Sequence, residues 1–317
     1  MSDILVLDGA MHGMPISECA EYLREHISDR DVDVASTPAE QRTKIQDAEV
    51  VVGEQIDTSL FEHADHLRLF ACPWAGVDHV DLDAMEREGI AVTNATGVHG
   101  PNIAEHVLGW FLMVTRRLDE GLRRQDRHEW RHFQARGELA GSRVCIVGLG
   151  AIGQTLHKRL SGFDVHTVGV RYSPDKGGPT DEIYGFDETT EALVDADYVA
   201  LACPLSDTTR GLIGRQEFSA MAADVVLANV ARGPVVDTDA LMWALRGGRI
   251  GAACLDVTDP EPLPTDHPLW DFGNVYITPH NSGHTPYYWK RVADILIENL
   301  AHVEKTGSWD GLRNQVV

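Results

Sequence analysis

One ten-residue stretch, VCIVGLGAIG at 144–153, restricts this chain more than any other. A short β-branched run breaks into Gly148, Gly150 and Gly153 at the spacing Gly-x-Gly-x-x-Gly, and a helical pattern follows at once. The first glycine permits a tight turn, the second lets a pyrophosphate approach the backbone, and the third lets helix pack on strand. Such a strand–turn–helix predicts a dinucleotide seated at a helix N-terminus. The stretch begins almost halfway along the 317 residues, so something of roughly 100 residues precedes the nucleotide site and can hold a substrate.

Alternating strand and helix patterns run along both halves, and that alternation predicts parallel sheets with helices on both faces. The first set comprises ILVLDG (4–9), a helix near 16–27, VDVAS (32–36), a helix near 39–47 and EVVVG (49–53). RLFACP (68–73), a short helix after Asp81 and IAVTNA (90–95) complete it. The second set has strands at 144–148, 166–170, 198–204, 224–231, 250–256 and 275–279. Between them Gly100-Pro101 opens a long helix, with proline at a favourable first-turn position. Ile103, Ala104, Val107, Leu108, Phe111, Leu112 and Thr115 keep helical spacing, and the pattern continues into the charged RRLDEGLRRQDR. A final amphipathic helix near 286–304 is expected to return to the N-terminal domain. The predicted class is therefore α/β, with two doubly wound parallel-sheet domains. A discontinuous flavodoxin-like substrate domain takes 1–99 and 284–317, and a Rossmann coenzyme domain takes 100–283. No internal repeat goes beyond this doubling.

Composition narrows the partners. The net charge is −22, and only five of the 27 basic residues are lysine (Lys44, Lys158, Lys176, Lys290 and Lys305). The acids spread along the whole length, so the surface repels nucleic acid and anionic membranes. Self-repulsion of this size needs heavy screening, which predicts a halophilic protein of a high-salt cytoplasm, with an ordinary acidic mesophilic enzyme as the alternative. Cys19, Cys72, Cys145, Cys203 and Cys254 lack CxxC spacing and are expected to be reduced, structural thiols. No stretch approaches the ~20 apolar residues of a membrane span. The N-terminal run enters a strand pattern at once, so a cytoplasmic location without a signal peptide is expected.

The choice of dinucleotide is read near the end of the second strand after the fingerprint, where an acidic residue would bind the 2′-hydroxyl of NAD. Here that strand ends Val170-Arg171-Tyr172-Ser173, with no carboxylate. Arg171 offers a fork for a 2′-phosphate and Ser173 a hydroxyl, so NADP is expected, with NAD possible.

Three further residues fall at strand ends or loops of the same domain. Arg232 follows LANVA, Glu261 sits in a loop stiffened by Pro260, Pro262 and Pro264, and His280 follows VYITP. Taken singly these are a turn arginine, a surface loop and a cap. Three at successive strand ends, where open α/β sheets bind ligands, predict a catalytic set. GLGAIG, CPLSDTTRGLIG (203–214), NVARGPVVD (229–237), the Asp256–Glu261–Pro262 element and TPH (278–280) resemble the D-isomer-specific 2-hydroxyacid dehydrogenases. PWAGVDHVDLDA (73–84) and NIAEHVLGWFL (102–112) extend the resemblance to about four-fifths of the chain.

That resemblance implies NAD(P)H-dependent, reversible reduction of 2-oxo acids to D-2-hydroxy acids. Arg232 would clamp the substrate carboxylate and carbonyl, His280 would be the acid/base, and Glu261 would hydrogen-bond its imidazole. Backbone N–H groups around Ala75, Gly76 and Val77 would hold the other side of the carboxylate. Ala151 and Ile152 would lie on the pyrophosphate, with Cys203, Pro204 and Thr209 along the ribose side. Val230, Ala231, Asp256 and Gly283 would face the nicotinamide, Asp256 holding its carboxamide. Homodimerisation through the helix after Pro101 is likewise implied. Two departures stand out: Asp164 where relatives usually have glycine, and Asn281-Ser282 in place of a more apolar or glycine-rich pair. Substrate identity is not legible, and glyoxylate, hydroxypyruvate and aliphatic 2-oxo acids stay open.

Other patterns carry less. His128-Glu129-Trp130-Arg131-His132 matches HExxH formally, but its charged surroundings predict a solvated segment and no metal site. Glu62-His63 with Asp65-His66 reads as a solvated turn, and Tyr287, Tyr288 and Trp289 as interdomain packing. Within the resembling fold, formate dehydrogenases carry glutamine at the carboxylate partner, which Glu261 argues against. Phosphoglycerate dehydrogenases often add a regulatory domain, and L-specific lactate and malate enzymes place the fingerprint near the start. A dinucleotide-sensing corepressor of this fold is the alternative from another functional class.

Overall fold

Each strand run builds a sheet by putting alternate side chains on opposite faces. In the computed structural model, which describes residues 3–135 and 137–317, Ile4 and Val6 enter one core while Leu5 and Leu7 enter another. Cys145 and Val147 are likewise divided from Val144 and Ile146. Both faces are therefore apolar and covered, as parallel sheets require. Met1, Ser2 and Arg136 lie outside the described residues.

The chain divides into two compact units, Met1–His99 with His284–Val317, and Gly100–Gly283. In the first, strands β1 (Ile4–Leu7), β2 (Val32–Ala35), β3 (Val50–Val52), β4 (Leu69–Ala71) and β5 (Ala91–Thr93) form a sheet ordered β2-β1-β3-β4-β5. Every pairing is parallel. The helices Ser17–His26 and Tyr288–Thr306 pack together within this unit. Tyr288 and Trp289 belong to its core. The Tyr288 hydroxyl donates to the Pro73 carbonyl and Trp289 Nε1 to the Met14 carbonyl at 3.2 Å. These aromatics thus pack inside one unit, which corrects the expectation of interdomain packing. Tyr287 remains 58% exposed.

The second unit has β6 (Arg143–Val147), β7 (His166–Val170), β8 (Glu182–Tyr184), β9 (Tyr198–Leu201), β10 (Val226–Asn229), β11 (Ala252–Leu255) and β12 (Val275–Ile277). All are parallel, in the order β8-β7-β6-β9-β10-β11-β12. This is the Rossmann arrangement, and the first unit has the flavodoxin-like one. The chain order reverses beside β6, placing a crevice at its carboxyl end.

Edge strand β8 escapes a periodicity reading because it is only three residues long. Glu182 anchors it. The Arg143 guanidinium grips its carboxylate at 2.6 and 2.9 Å, with His166 at 2.7 Å, and these contacts hold Glu182 well below the usual carboxylate range.

The long helix expected after Gly100 is two helices, Gly100–Arg116 and Leu118–Asp126. Arg117 interrupts it in the left-handed region at φ 53°, which ends continuous helical hydrogen bonding. The break carries the charged helix to Phe133, with the Arg124 guanidinium 5.0 Å from that ring. Asp164 also adopts φ 51°, a backbone state that favours the glycine usual at such a position. Among the described residues, no helix is long and apolar enough to cross a membrane. All five cysteines are free and buried, and desolvation pushes the Cys19 and Cys145 thiols up to about 12.

Candidate active site

The fingerprint glycines answer three different local demands. Gly148 leaves β6 at φ +104°, and a β-carbon there would lie 2.6 Å from the Cys203 nitrogen. A β-carbon at Gly153 would lie 2.0 Å from the Gly148 carbonyl oxygen, so only glycine lets the helix approach this closely. Gly150 has nothing within 4 Å of such a carbon. It caps the helix Ala151–Leu160, whose first backbone N–H groups lack intrahelical acceptors. An open glycine before unsatisfied N–H groups at a positive helix end can seat an anion such as a pyrophosphate.

Beside this seat lies a cavity of about 690 Å³ that brings together Gly148, Gly150, Arg171, Tyr172, Ser173, Pro204 and Thr209. Cys203, a predicted neighbour of the ribose, is buried and does not line this cavity; desolvation pushes its thiol up to about 11. The Thr209 hydroxyl is engaged inside its own turn, donating to Pro204 O at 2.6 Å and accepting from Ser206 N at 2.8 Å. Arg171 is half-buried and donates to the Gly177 carbonyl. Lys176 joins the same wall as a second cation. Sequence reasoning missed it, although one of only five lysines falls five residues after Arg171. The acid in this wall, Asp207, comes from the 204–209 turn and not from the end of β7. The cavity size, the cradle at Gly150 and the two cations could hold a dinucleotide.

At the far ends of β10 and β11 the following loops meet at Gly233 and Thr258, and the loops after β11 and β12 meet at Glu261 and His280. Asn229 closes the turn after β10, accepting from Ala231 N at 3.0 Å and donating to Arg232 O at 3.1 Å. Gly233 follows because a β-carbon there would lie 1.9 Å from the Thr258 carbonyl oxygen of the loop beyond β11. Exposed Arg232 has no acidic partner within 4 Å among the described residues; its Nη1 donates to Ala231 O at 2.7 Å. Its charge is available to an anion. Glu261 Oε2 lies 3.2 Å from His280 Nδ1, and each side chain is nearly half-exposed.

His280 stands in the left-handed region at φ 51°, an uncommon state for histidine that the surrounding turn must hold. Asp256 builds that turn. It is 2% exposed, and its backbone oxygen accepts from His280 N at 2.8 Å. One carboxylate oxygen accepts from Thr278 Oγ1 at 2.5 Å and Asn281 N at 3.0 Å. The other accepts from Ser282 N at 3.0 Å and from the Ser282 hydroxyl. Both oxygens thus already carry donors from this chain. The Asn281-Ser282 departure supplies three of the four. Val230 and Ala231 are buried nearby in sequence, and Gly283 is half-buried.

In the first unit, Ala75, Gly76 and Val77 follow β4. Ala75 and Gly76 are exposed, and among the described residues none of the three backbone N–H groups has an acceptor. The turn is held by its flanks, through Ala95 N to Trp74 O at 2.9 Å and Val80 N to Val77 O at 2.9 Å.

The HExxH match is not helical: the helix ends at Asp126 and His128 takes φ 55°. No group of three or more potential ligands could hold a metal among the described residues. Glu62 and His63 end a short 3-10 helix, and His66 is exposed.

Residues 108–282 match the family described as D-isomer specific 2-hydroxyacid dehydrogenase, NAD binding domain. The chain is 33% identical over 308 residues to D-3-phosphoglycerate dehydrogenase of Methanocaldococcus jannaschii, covering 96% of this chain and 57% of that protein. The chain therefore spans little more than half the length of that relative. It is 36% identical over 261 residues to glyoxylate reductase of Thermofilum pendens, covering 80% of this chain and 76% of the relative. The crystal structure of the TT0316 protein from Thermus thermophilus superposes with a TM-score of 0.70 at 34% identity, covering 99% of this chain and all of that one.

Proposed function

We propose, for a chain that belongs to the D-isomer specific 2-hydroxyacid dehydrogenase family, that it reversibly reduces a 2-oxo acid to a D-2-hydroxy acid. The observation that carries this reading is the His280–Glu261 pair in the same unit as an Arg232 without an acidic partner. Bound reduced nicotinamide dinucleotide supplies the hydride. Arg232 binds the substrate carboxylate and polarises the adjacent carbonyl, a task suited to a planar, permanently charged fork. Backbone N–H groups at Ala75, Gly76 and Val77 take the other side of that carboxylate. Glu261 holds Nδ1 of His280 and stabilises its imidazolium, leaving Nε2 to give a proton to the carbonyl oxygen. In the oxidation direction neutral His280 takes that proton back.

NADP is the preferred dinucleotide, through Arg171 and Ser173 with Lys176 beside them, and NAD is the weaker alternative. Ala151 and Ile152 seat the pyrophosphate, Cys203, Pro204 and Thr209 border the ribose, and Val230, Ala231, Asp256 and Gly283 border the nicotinamide. The protein acts as a cytoplasmic homodimer. Pairing runs through the helix after Pro101, Gly100–Arg116.

The test is turnover of NADPH and NADH with glyoxylate, hydroxypyruvate and aliphatic 2-oxo acids, in low and molar salt. His280→Ala should lose about 10²–10⁴-fold in turnover, the range for a general acid. Near-wild-type turnover of that variant, or no turnover of any 2-oxo acid by the native protein, would overturn the reading.

A further inference from the structure

The helix Gly100–Arg116 grips the His280 turn from below with two side chains one helical turn apart. Asn102 Nδ2 donates to Ser282 O at 2.7 Å, and His106 Nε2 lies 3.3 Å from Thr278 Oγ1. The Thr278 hydroxyl proton is directed to the Asp256 carboxylate, which can only accept. His106 must therefore be the donor to Thr278. Burial holds its imidazole below the usual histidine range, against the pull of the Asp256 charge. The ring edge also packs on Trp110, with centroids 4.3 Å apart.

We propose that His106 is a positioning residue for the acid–base histidine, acting through Thr278 and Asp256. His106 orders the Thr278 hydroxyl, which orders Asp256. Asp256 then holds the amides of Asn281 and Ser282 and, through its backbone oxygen, that of His280. Without the first link the strained φ of His280 is less well held. This inference rests on His280 being the acid–base, so its test includes a readout independent of turnover.

That readout is amide hydrogen exchange at Asn281 and Ser282 in the protein without ligands, compared with kcat for 2-oxo acid reduction. His106→Ala should speed exchange at both amides and lower kcat, each by about tenfold, the scale of one lost buried hydrogen bond. KM for the 2-oxo acid should hold within about threefold, since Arg232 is untouched. His106→Gln, with an amide N–H where Nε2–H stood, should restore both quantities to within about threefold. Thr278→Val should match His106→Ala, and the double variant should be no worse than Thr278→Val alone. If His106→Ala does not fold, His106→Gln and Thr278→Val decide by the same two measurements. Unchanged exchange in the variants, or a double variant equal to the product of the singles, would reduce His106 to packing against Trp110 and overturn the proposal. If the native protein reduces no 2-oxo acid, exchange alone still decides.

Discussion

Gly150 and Gly153 stand three residues apart in one motif, yet alanine should harm the protein differently at each. A β-carbon at Gly153 would sit 2.0 Å from the Gly148 carbonyl oxygen, and real contacts stay beyond 3.0 Å, so the helix must withdraw by about the difference. The helix that must withdraw carries fully buried Leu156 and Leu160 against the sheet. Overpacking of this kind costs about 1–3 kcal/mol. In a unit of this size each kcal/mol lowers Tm by about 2–4 °C. At Gly150 the same carbon meets nothing within 4 Å, and φ −79° suits alanine. Stability there should fall by less than about 1 kcal/mol, the penalty for a poorer helix cap. That carbon instead stands over the helix N–H groups proposed to seat the pyrophosphate. Losing one or two charge-assisted hydrogen bonds of about 1.5–3 kcal/mol each weakens NADPH binding by at least about tenfold. Thermal melts and titration of NADPH without substrate, in the same salt, separate the two effects. Gly150→Ala binding within twofold of native would refute the pyrophosphate seat. An unchanged melt for Gly153→Ala would refute the close approach of helix and strand.

Arg171→Asp should move the preference from NADPH toward NADH by introducing the carboxylate that the end of β7 lacks; an unchanged ratio of kcat/KM values would contradict the assignment. Burial raises the Cys19 and Cys145 thiols to about 12 and Cys203 to about 11. An unfolded thiol ionises near 8.5, so the stability from each thiol is complete below that pH. It then declines by about 1.4 kcal/mol per pH unit as the unfolded chain alone loses its proton. Urea midpoints at pH 8 and pH 10 measure this, and equal midpoints would exclude it. With a net charge of −22, raising KCl from low to molar concentration should raise Tm by at least about 5 °C, or roughly 2 kcal/mol, and an unchanged curve would remove the halophilic reading.

The parallel sheets are legible in the sequence because ILVL and VCIV must bury both faces at once. The glycine motif is legible because each glycine meets a constraint a few residues away. The break at Arg117 is less so. Helical spacing continues past it, and only Phe133, which Arg117 and Arg124 approach across the loop, gives the second helix its new direction. Strand β8 escaped for a similar reason, since Glu182 is held by Arg143 from a strand 39 residues earlier. Lys176 could have been found by asking which of the few lysines falls near Arg171.

The same distinction of distance governs the site. Arg232 and His280 are visible because strand ends announce themselves, and Glu261 because prolines frame it. What holds them is not local. Asp256 reads as a ligand-facing acid at the end of β11, yet its carboxylate oxygens accept from Thr278, Asn281 and Ser282 on the loop after the neighbouring strand. The unusual Asn281-Ser282 pair looks like a weakened contact until those donors are traced to one buried carboxylate. A left-handed histidine needs such a clamp, because neither a following glycine nor a helix cap is available to set φ 51°. His280 is therefore recognised from its sequence position, while its geometry is determined by residues from three other segments of the same unit: Asp256 after β11, Glu261 in the proline loop, and Asn102 with His106 on the helix Gly100–Arg116.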